Sequence, residues 1–383
     1  MSLKAVVIGA GFSGEGQISG LRHCNINNIT LCGRSIEPAK QVAQKLHISD
    51  LRFDWKQALE DIRPDILCIA TTVPSHLDMI TTGAKLGCNI VCDKPLAANA
   101  KEAKIMYETV VNAGIKHGYC PTGPYYPAVS YVKSLIEKGK IGRLRNLELT
   151  MYKTPRIDAA YSWMHNLADG GGELNTVFTH ILQAFLRLSS AKVEGVSGFA
   201  KSIISKMPMG GRFHDSRKAL LSTVDLNQPD LKWVDSDADD TFYTTLDLKL
   251  PDNTHAFASI NVLLGRTPSP SGMHIHGTKG SIVFRPFSDD IMVCYEPTDR
   301  EANSYEEKLR PTNEWTKLTV PKEFFANDGT GDRAIKAYNR FFARFIPDVL
   351  NKPHGDYATF HDGYIACCVI DAIRSKDFFT PIK

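Results

Sequence analysis

At 383 residues, 43% of them hydrophobic and 23% charged, the chain is too long for one comfortable core and reads as two globular domains. A formal net charge of +3, with 45 Lys and Arg against 42 Asp and Glu, supplies no basic stripe and argues against a nucleic-acid partner. No stretch approaches the roughly 20 apolar residues a bilayer span requires. The nine cysteines lack C-x-x-C spacing, and the N-terminus runs through Leu3–Ile8 into glycines, not a cleavage site; the expectation is a soluble, cytoplasmic protein with reduced thiols.

In chain order, the first third alternates buried strands with helices. Ala5–Ile8, Ile29–Cys32, Ile66–Ala70 and Ile90–Cys92 are short, nearly continuous apolar runs, the pattern of strands covered on both faces. Between them Glu15–Arg22, Glu37–Leu46, His76–Leu86 and Ala100–Ala113 carry apolar residues at three- and four-residue spacing. This alternation predicts an α/β Rossmann domain with a doubly wound sheet. The proline- and glycine-rich stretch Gly118–Pro127 reads as its exit, so the division expected is 1–122 and 123–383, with the final helix able to pack back on the first domain.

Beyond the exit the period changes to two. Leu144–Tyr152, Val193–Ala200, Phe242–Leu250, Ala256–Leu264 and Ile291–Tyr295 alternate apolar with polar residues, and Gly277-Thr278-Lys279-Gly280 reads as a hairpin turn. Helical patterns cover Pro127–Lys138, Glu173–Leu188, Arg333–Leu350 and Thr359–Ser375. The second domain is therefore expected to be α+β, a large, mostly antiparallel open sheet backed by helices. Its strands put Phe242, Leu246, Ala256 and Ile260 on single faces, while the outward Tyr243 and Leu263 are also apolar. A covered outer face follows, hence a homodimer or homotetramer through this sheet. Residues 203–239 show no period and read as a long excursion.

Gly9-Ala10-Gly11-Phe12-Ser13-Gly14 is a G-x-G-x-x-G run that follows an apolar strand and opens a helix, the context a dinucleotide fingerprint requires. Gly9 permits the tight turn, Gly11 the close approach of a pyrophosphate, and Gly14 the packing of helix on strand, with the helix N-terminus facing the anion. The second strand ends Cys32-Gly33-Arg34-Ser35 without the acid that usually binds a ribose 2′-hydroxyl. Arg34 either faces solvent or stacks on adenine and pairs with a 2′-phosphate, with Gly33 and Ser35 leaving room. The missing acid favours the second reading, so NADP is the expected cofactor and NAD the alternative.

Several stretches taken together resemble the Gfo/Idh/MocA oxidoreductases. Asp93-Lys94-Pro95 is similar to that family's Glu-Lys-Pro, and Ala70-Thr71-Thr72-Val73-Pro74-Ser75-His76 to its loop beneath the nicotinamide. Ile141-Gly142-Arg143, Trp163 with Gly170-Gly171-Gly172, Gly277-Thr278-Lys279-Gly280 and Asp362-Gly363 with Asp371-Ala372 and Ser375 match in order. The resemblance implies hydride exchange between a nicotinamide and a ring hydroxyl or carbonyl of a sugar or cyclitol. It implies a catalytic Lys94, and a cofactor bed that adds Thr71, Thr72, Pro74, His76, Asp93, Lys94 and Trp163 to Gly9, Gly11, Phe12, Ser13, Gly14, Gly33, Arg34 and Ser35. The same scaffold also serves a regulator that binds the dinucleotide without turnover, and glycosidases that retain their NAD.

The second catalytic segment departs from the family pattern. Its G-G-x-L-x-D-x-G-x-H reads here Gly171-Gly172-Glu173-Leu174-Asn175-Thr176-Val177-Phe178-Thr179-His180, so Thr176 replaces the acid and Phe178 a glycine, adding bulk where the site is normally open. Lys94 is expected to exchange a proton with a substrate oxygen, with His180 either the second proton carrier or a core histidine. Thr176 relays a proton or holds a substrate oxygen, and without the acid His180 is expected to titrate near 6.5. His165 and Asn175 are candidates for gripping substrate hydroxyls, whereas Tyr125, Tyr126 and Tyr161 read as packing residues. His274 and His276 have no carboxylate at metal spacing, so no zinc site is expected.

Overall fold

The computed structural model describes residues 3–211, 218, 221–265, 272–285, 288, 290–295, 315–375 and 380–382. Its first layer is a six-stranded sheet of β1 (Lys4–Ile8), β2 (Asn28–Cys32), β3 (Asp50–Arg52), β4 (Ile66–Ile69), β5 (Asn89–Asp93) and β6 (His117–Cys120). The order is β3-β2-β1-β4-β5-β6 and every pairing is parallel. Helices α1 (Phe12–His23), α2 (Ile36–Lys45), α3 (Trp55–Ile62), α4 (His76–Lys85) and α5 (Ala100–Asn112) make the crossovers. Asp54 accepts from Lys56 N at 3.0 Å and Gln57 N at 3.1 Å to start α3, and Asn99 accepts from Glu102 N at 2.9 Å to start α5. β1, β4 and β5 are buried along nearly their whole length. The strand order reverses between β1 and β4, and ligands bind at the carboxyl ends of strands flanking such a reversal.

Three elements here escape the sequence pattern: β3, α3 and β6. β3 has three residues and an exposed end, and β6 lies inside the stretch read as a domain exit. Gly118 sits in β6 because a side chain there would meet the Phe341 ring at 2.6 Å.

The second layer is a nine-stranded sheet. It comprises β7 (Leu144–Lys153), β8 (Lys192–Lys201), β11 (Thr241–Lys249), β12 (His255–Leu264), β13 (Met273–Gly277), β14 (Gly280–Phe284), β15 (Asp290–Tyr295), β16 (Thr316–Thr319) and β17 (Thr380–Pro381). The order β16-β15-β14-β13-β7-β12-β11-β8-β17 is antiparallel except where β12 runs parallel to β7. Helices α6 (Pro127–Glu137), α7 (Thr179–Ser189), α8 (Arg333–Val349) and α9 (Phe360–Arg374) complete the chain. In the excursion 203–239, β9 (Lys206–Pro208) and β10 (Trp233–Asp235) pair as a two-stranded ribbon; positions 212–217, 219 and 220 of that stretch lie outside the described residues. Ile141-Gly142-Arg143 docks on the hairpin turn, with Lys279 N donating to Ile141 O at 2.8 Å and Arg143 N to Thr278 Oγ1 at 3.0 Å.

The last two helices return to the first sheet. α8 lies against α1, so close that a Cβ at Gly16 would fall 2.4 Å from Tyr338 and one at Gly20 2.2 Å from Phe342. α9 packs on α5. On the outer face of the second sheet Phe199 and Tyr243 pair across strands with ring centroids 5.4 Å apart, and Tyr152 and the 56%-exposed Phe257 share that exposed face. Among the described residues no helix is long and apolar enough to cross a membrane.

Candidate active site

The glycine run forms a cradle that side chains would fill. Gly9 has φ +121°, and a Cβ there would lie 2.4 Å from Ala70 O; one at Gly14 would lie 2.0 Å from Gly9 O. Helix α1 starts after Gly11 with no side-chain cap, the arrangement in which a helix N-terminus attracts an anion. These residues fit a dinucleotide pyrophosphate. Phe12 stands edge-on to Tyr338 at 6.2 Å, and Ser13 turns its hydroxyl to Asp93. At the adenosine end Arg34 is exposed and makes no ion pair among the described residues. Gly33 leaves no spare room: it is buried, and a Cβ would collide with that of Ala39 at 2.3 Å, so its smallness serves the packing of α2. Ser35 precedes α2 without capping it.

The loop after β4 exposes Thr72 and Pro74 and half-buries Thr71, which accepts from Ser75 Oγ at 2.8 Å. His76 is fully buried. Its Nδ1 lies 2.9 Å from Leu96 O and its Nε2 3.1 Å from Thr71 O. A side chain so enclosed cannot touch a ligand. His76 instead ties the Thr71 loop to the segment beyond Pro95, and burial pushes its pKa down against those two carbonyls.

Lys94 stands at the carboxyl end of β5, joined to Pro95 by a cis peptide. The preceding Asp93 is buried and accepts from Tyr338 Oη at 2.6 Å and Lys94 N at 2.8 Å. Desolvation raises the Asp93 pKa while these donors and the Lys94 charge oppose it. Desolvation lowers the Lys94 pKa, against the charges of Asp93 and Glu173. The Lys94 ammonium reaches the carbonyl of Thr176 at 3.4 Å. The glycine segment closes the same space, since a Cβ at Gly170 would meet Val73 at 2.5 Å and Pro95 at 3.4 Å.

The helix bearing His180 begins as a π turn, Leu174–Phe178, a form frequent at functional sites. Asp239 holds its start, accepting from Leu174 N at 2.8 Å and pairing with Arg374 of α9 at 3.0 Å. His180 is half-buried, and its Nδ1 accepts from Thr122 N at 3.0 Å and Gly123 N at 3.4 Å. A ring nitrogen that accepts from a backbone N–H carries no proton, so Nε2 is the N–H side of a neutral imidazole. Desolvation and the Lys94 charge push its pKa well below the usual 6.5. The expectation of a near-reference histidine is thereby overturned, because burial and the neighbouring cation both act against its protonation.

Three further expectations are corrected. The Thr176 hydroxyl donates to Gly172 O at 2.9 Å, and it is the residue's carbonyl that meets Lys94. Phe178 adds no bulk to the site; it is fully buried, edge-on to Phe242 at 5.7 Å. Asn175 is buried and donates to Gly171 O at 2.9 Å, bracing the turn instead of gripping a ligand. His165 accepts from Ser162 N at 3.0 Å, leaving its other nitrogen available, and the half-buried Trp163 opens the same short helical turn. The sequence gives no sign of Tyr338 or Asp239; Glu173, ion-paired with Lys153 of β7, stands in plain view inside the glycine segment.

Both domains match known family models. Residues 3–118 match the model described as "Oxidoreductase family, NAD-binding Rossmann fold", and residues 129–283 match "GFO/IDH/MocA C-terminal domain". The chain belongs to the Gfo/Idh/MocA oxidoreductase family. As a Gfo/Idh/MocA protein it is an enzyme of the nicotinamide-dependent dehydrogenase type. It is 26% identical over 364 residues to levoglucosan dehydrogenase of Pseudarthrobacter phenanthrenivorans, covering 88% of this chain and 84% of that one. It is 25% identical to glucose-fructose oxidoreductase domain-containing protein 2 of Xenopus laevis, over 54% of each. A levoglucosan dehydrogenase in complex with NADH and levoglucosan superposes with TM-score 0.76 at 20% identity, covering 100% of this chain and 99% of that one. An oxidoreductase domain protein from Kribbella flavida gives TM-score 0.78 at 19% identity, with each chain wholly covered. At these identities the two structures speak for the fold.

Proposed function

We propose that the chain is an NADP-preferring dehydrogenase that interconverts a ring hydroxyl and carbonyl of a sugar-like polyol or cyclitol. The observation that carries this is the meeting of Lys94 and His180 at the carboxyl edge of the parallel sheet, beside the glycine cradle. When bound, the nicotinamide takes or gives the hydride. In the oxidative direction the hydroxyl proton passes to the neutral Lys94 amine, the form that desolvation favours. His180, held with Nε2–H outward, donates a hydrogen bond to the same substrate oxygen. Thr71, Thr72, Pro74 and Trp163 complete the cofactor bed, and His165 contacts the substrate. Absorbance at the reduced-nicotinamide band, followed while a panel of sugars, cyclitols and keto-sugars is added, tests the reading. Release of an aglycone without net cofactor change would overturn it.

The NADP preference is supported by the exposed Arg34, which makes no ion pair among the described residues, and by the absence of an acid at the tip of β2. A charge-assisted hydrogen bond contributes about 1.5–3 kcal/mol, so Arg34→Ala is expected to weaken NADP(H) at least about ten-fold and to leave NAD(H) nearly unchanged. Equal affinity of the wild type for both cofactors would overturn the preference.

We further propose that the chain divides at 122/123, works in the cytoplasm, where its nine free cysteines stay reduced, and assembles through the second sheet. The exposed aromatic face of Tyr152, Phe199, Tyr243 and Phe257 supports the last point. Light scattering at micromolar concentration is expected to report a dimer or tetramer; a monomer would count against it.

A further inference from the structure

The helix that lost its acid at Thr176 has a carboxylate one turn earlier. Glu173 lies three residues before Thr176, whose carbonyl meets the Lys94 ammonium at 3.4 Å. Its Oε1 is ion-paired with Lys153 Nζ, contributed by β7. Its Oε2 is buried and takes no hydrogen bond among the described residues, so this carboxylate keeps acceptor capacity toward Lys94. Its backbone is fixed as well, with Glu173 N donating to Asp239 O at 2.7 Å. We infer that Glu173, balanced by Lys153, is the positioning residue that sets the proton affinity of Lys94, the part the missing acid would otherwise play.

Among the described residues, the charges that act on Lys94 are those of Asp93 and Glu173. Asp93 precedes it on β5, itself held by Tyr338 of α8 and Ser13 of α1; Glu173 faces it from the glycine segment, with Lys153 behind; and His180 faces it from α7 as a neutral ring. Asp93 is locked by its hydroxyl donors. The Glu173–Lys153 pair is therefore the adjustable one. Opposite charge within a few ångströms favours the ammonium form and like charge disfavours it. Removing the two partners of this pair should accordingly move Lys94 in opposite directions.

This inference rests on Lys94 being the proton carrier. The experiment is the pH profile of kcat/KM for alcohol oxidation, with NADP(H) binding followed by fluorescence in each variant. Glu173→Gln is expected to shift the acid limb down by about one pH unit or more, since it removes the anion and leaves the Lys153 cation. Lys153→Met is expected to shift the limb up, and Glu173→Asp to restore most of the wild-type profile. A purely structural ion pair would lower activity in both variants without moving the limb, and that result would overturn the inference. Lys94→Met separates the two claims: substantial turnover in that variant removes the proton-carrier reading itself, whereas an inactive Lys94→Met beside unmoved limbs removes only the role given to Glu173.

Discussion

Lys94→Met is expected to lose about 10²–10⁴-fold in turnover, the usual cost of a missing general acid–base group, while binding NADP(H) as the wild type does. The substitution keeps an unbranched apolar stem and removes only the ammonium. What holds the neighbourhood together is largely main chain: Lys94 N still donates to Asp93 Oδ1, 2.8 Å away in the wild type, and Tyr338 still caps Oδ2. The cradle of Gly9 and Gly14 lies on a different strand end and is untouched. Cofactor fluorescence should therefore stay near normal while steady-state turnover collapses. The ammonium also faces Asp93, and its loss leaves that buried carboxylate with hydroxyl and amide donors alone, which favours its protonated form. Activity lost together with cofactor binding would mean that Lys94 had been structural. Near-normal turnover would remove the proposed chemistry.

The parts of this molecule that could be read from sequence are those whose burial is continuous. β1, β2, β4 and β5 are apolar because helices cover both faces of the sheet, and the glycine run declares itself through its place between strand and helix. β3 fails the same test with three residues and an exposed Arg52, and β6 is disguised by the glycine that Phe341 requires and by the prolines that follow. At the site, Lys94 and His180 were legible because they sit in ordered motifs. Phe178 is misread because its place comes from the family's glycine in an open site, whereas in this chain the ring turns into the core and packs edge-on to Phe242. Tyr338 had no signal at all: it meets Asp93 from 245 residues away, on a helix whose pattern speaks only for packing. His76 shows the limit from the other side, for a motif residue beside a ligand loop turned out to hold the loop from beneath.

His180→Asn is expected to lose about 10²–10³-fold in turnover, the scale of a deleted donor to a developing oxyanion. Thr176→Ala should cost far less, because that hydroxyl already serves Gly172 O. Asparagine can still accept from Thr122 N–H in place of Nδ1, so the loop after β6 keeps its anchor, but the shorter side chain cannot present a donor where Nε2 stood. The pH dependence follows from the depressed pKa. Above about 6.5 His180 is neutral in both folded and unfolded chains and contributes no slope. As pH falls below that value the unfolded chain takes a proton that the folded site resists, being desolvated and beside Lys94, so stability is lost on the way down to the folded pKa. His76, His117 and His165 are depressed by burial as well, but they are common to both proteins and cancel in the comparison. Thermal melts at pH 7 and pH 5 should therefore show a smaller drop in Tm for His180→Asn than for the wild type. An equal or larger drop would mean that His180 protonates freely in the folded enzyme, and Nδ1 could then no longer be accepting from Thr122.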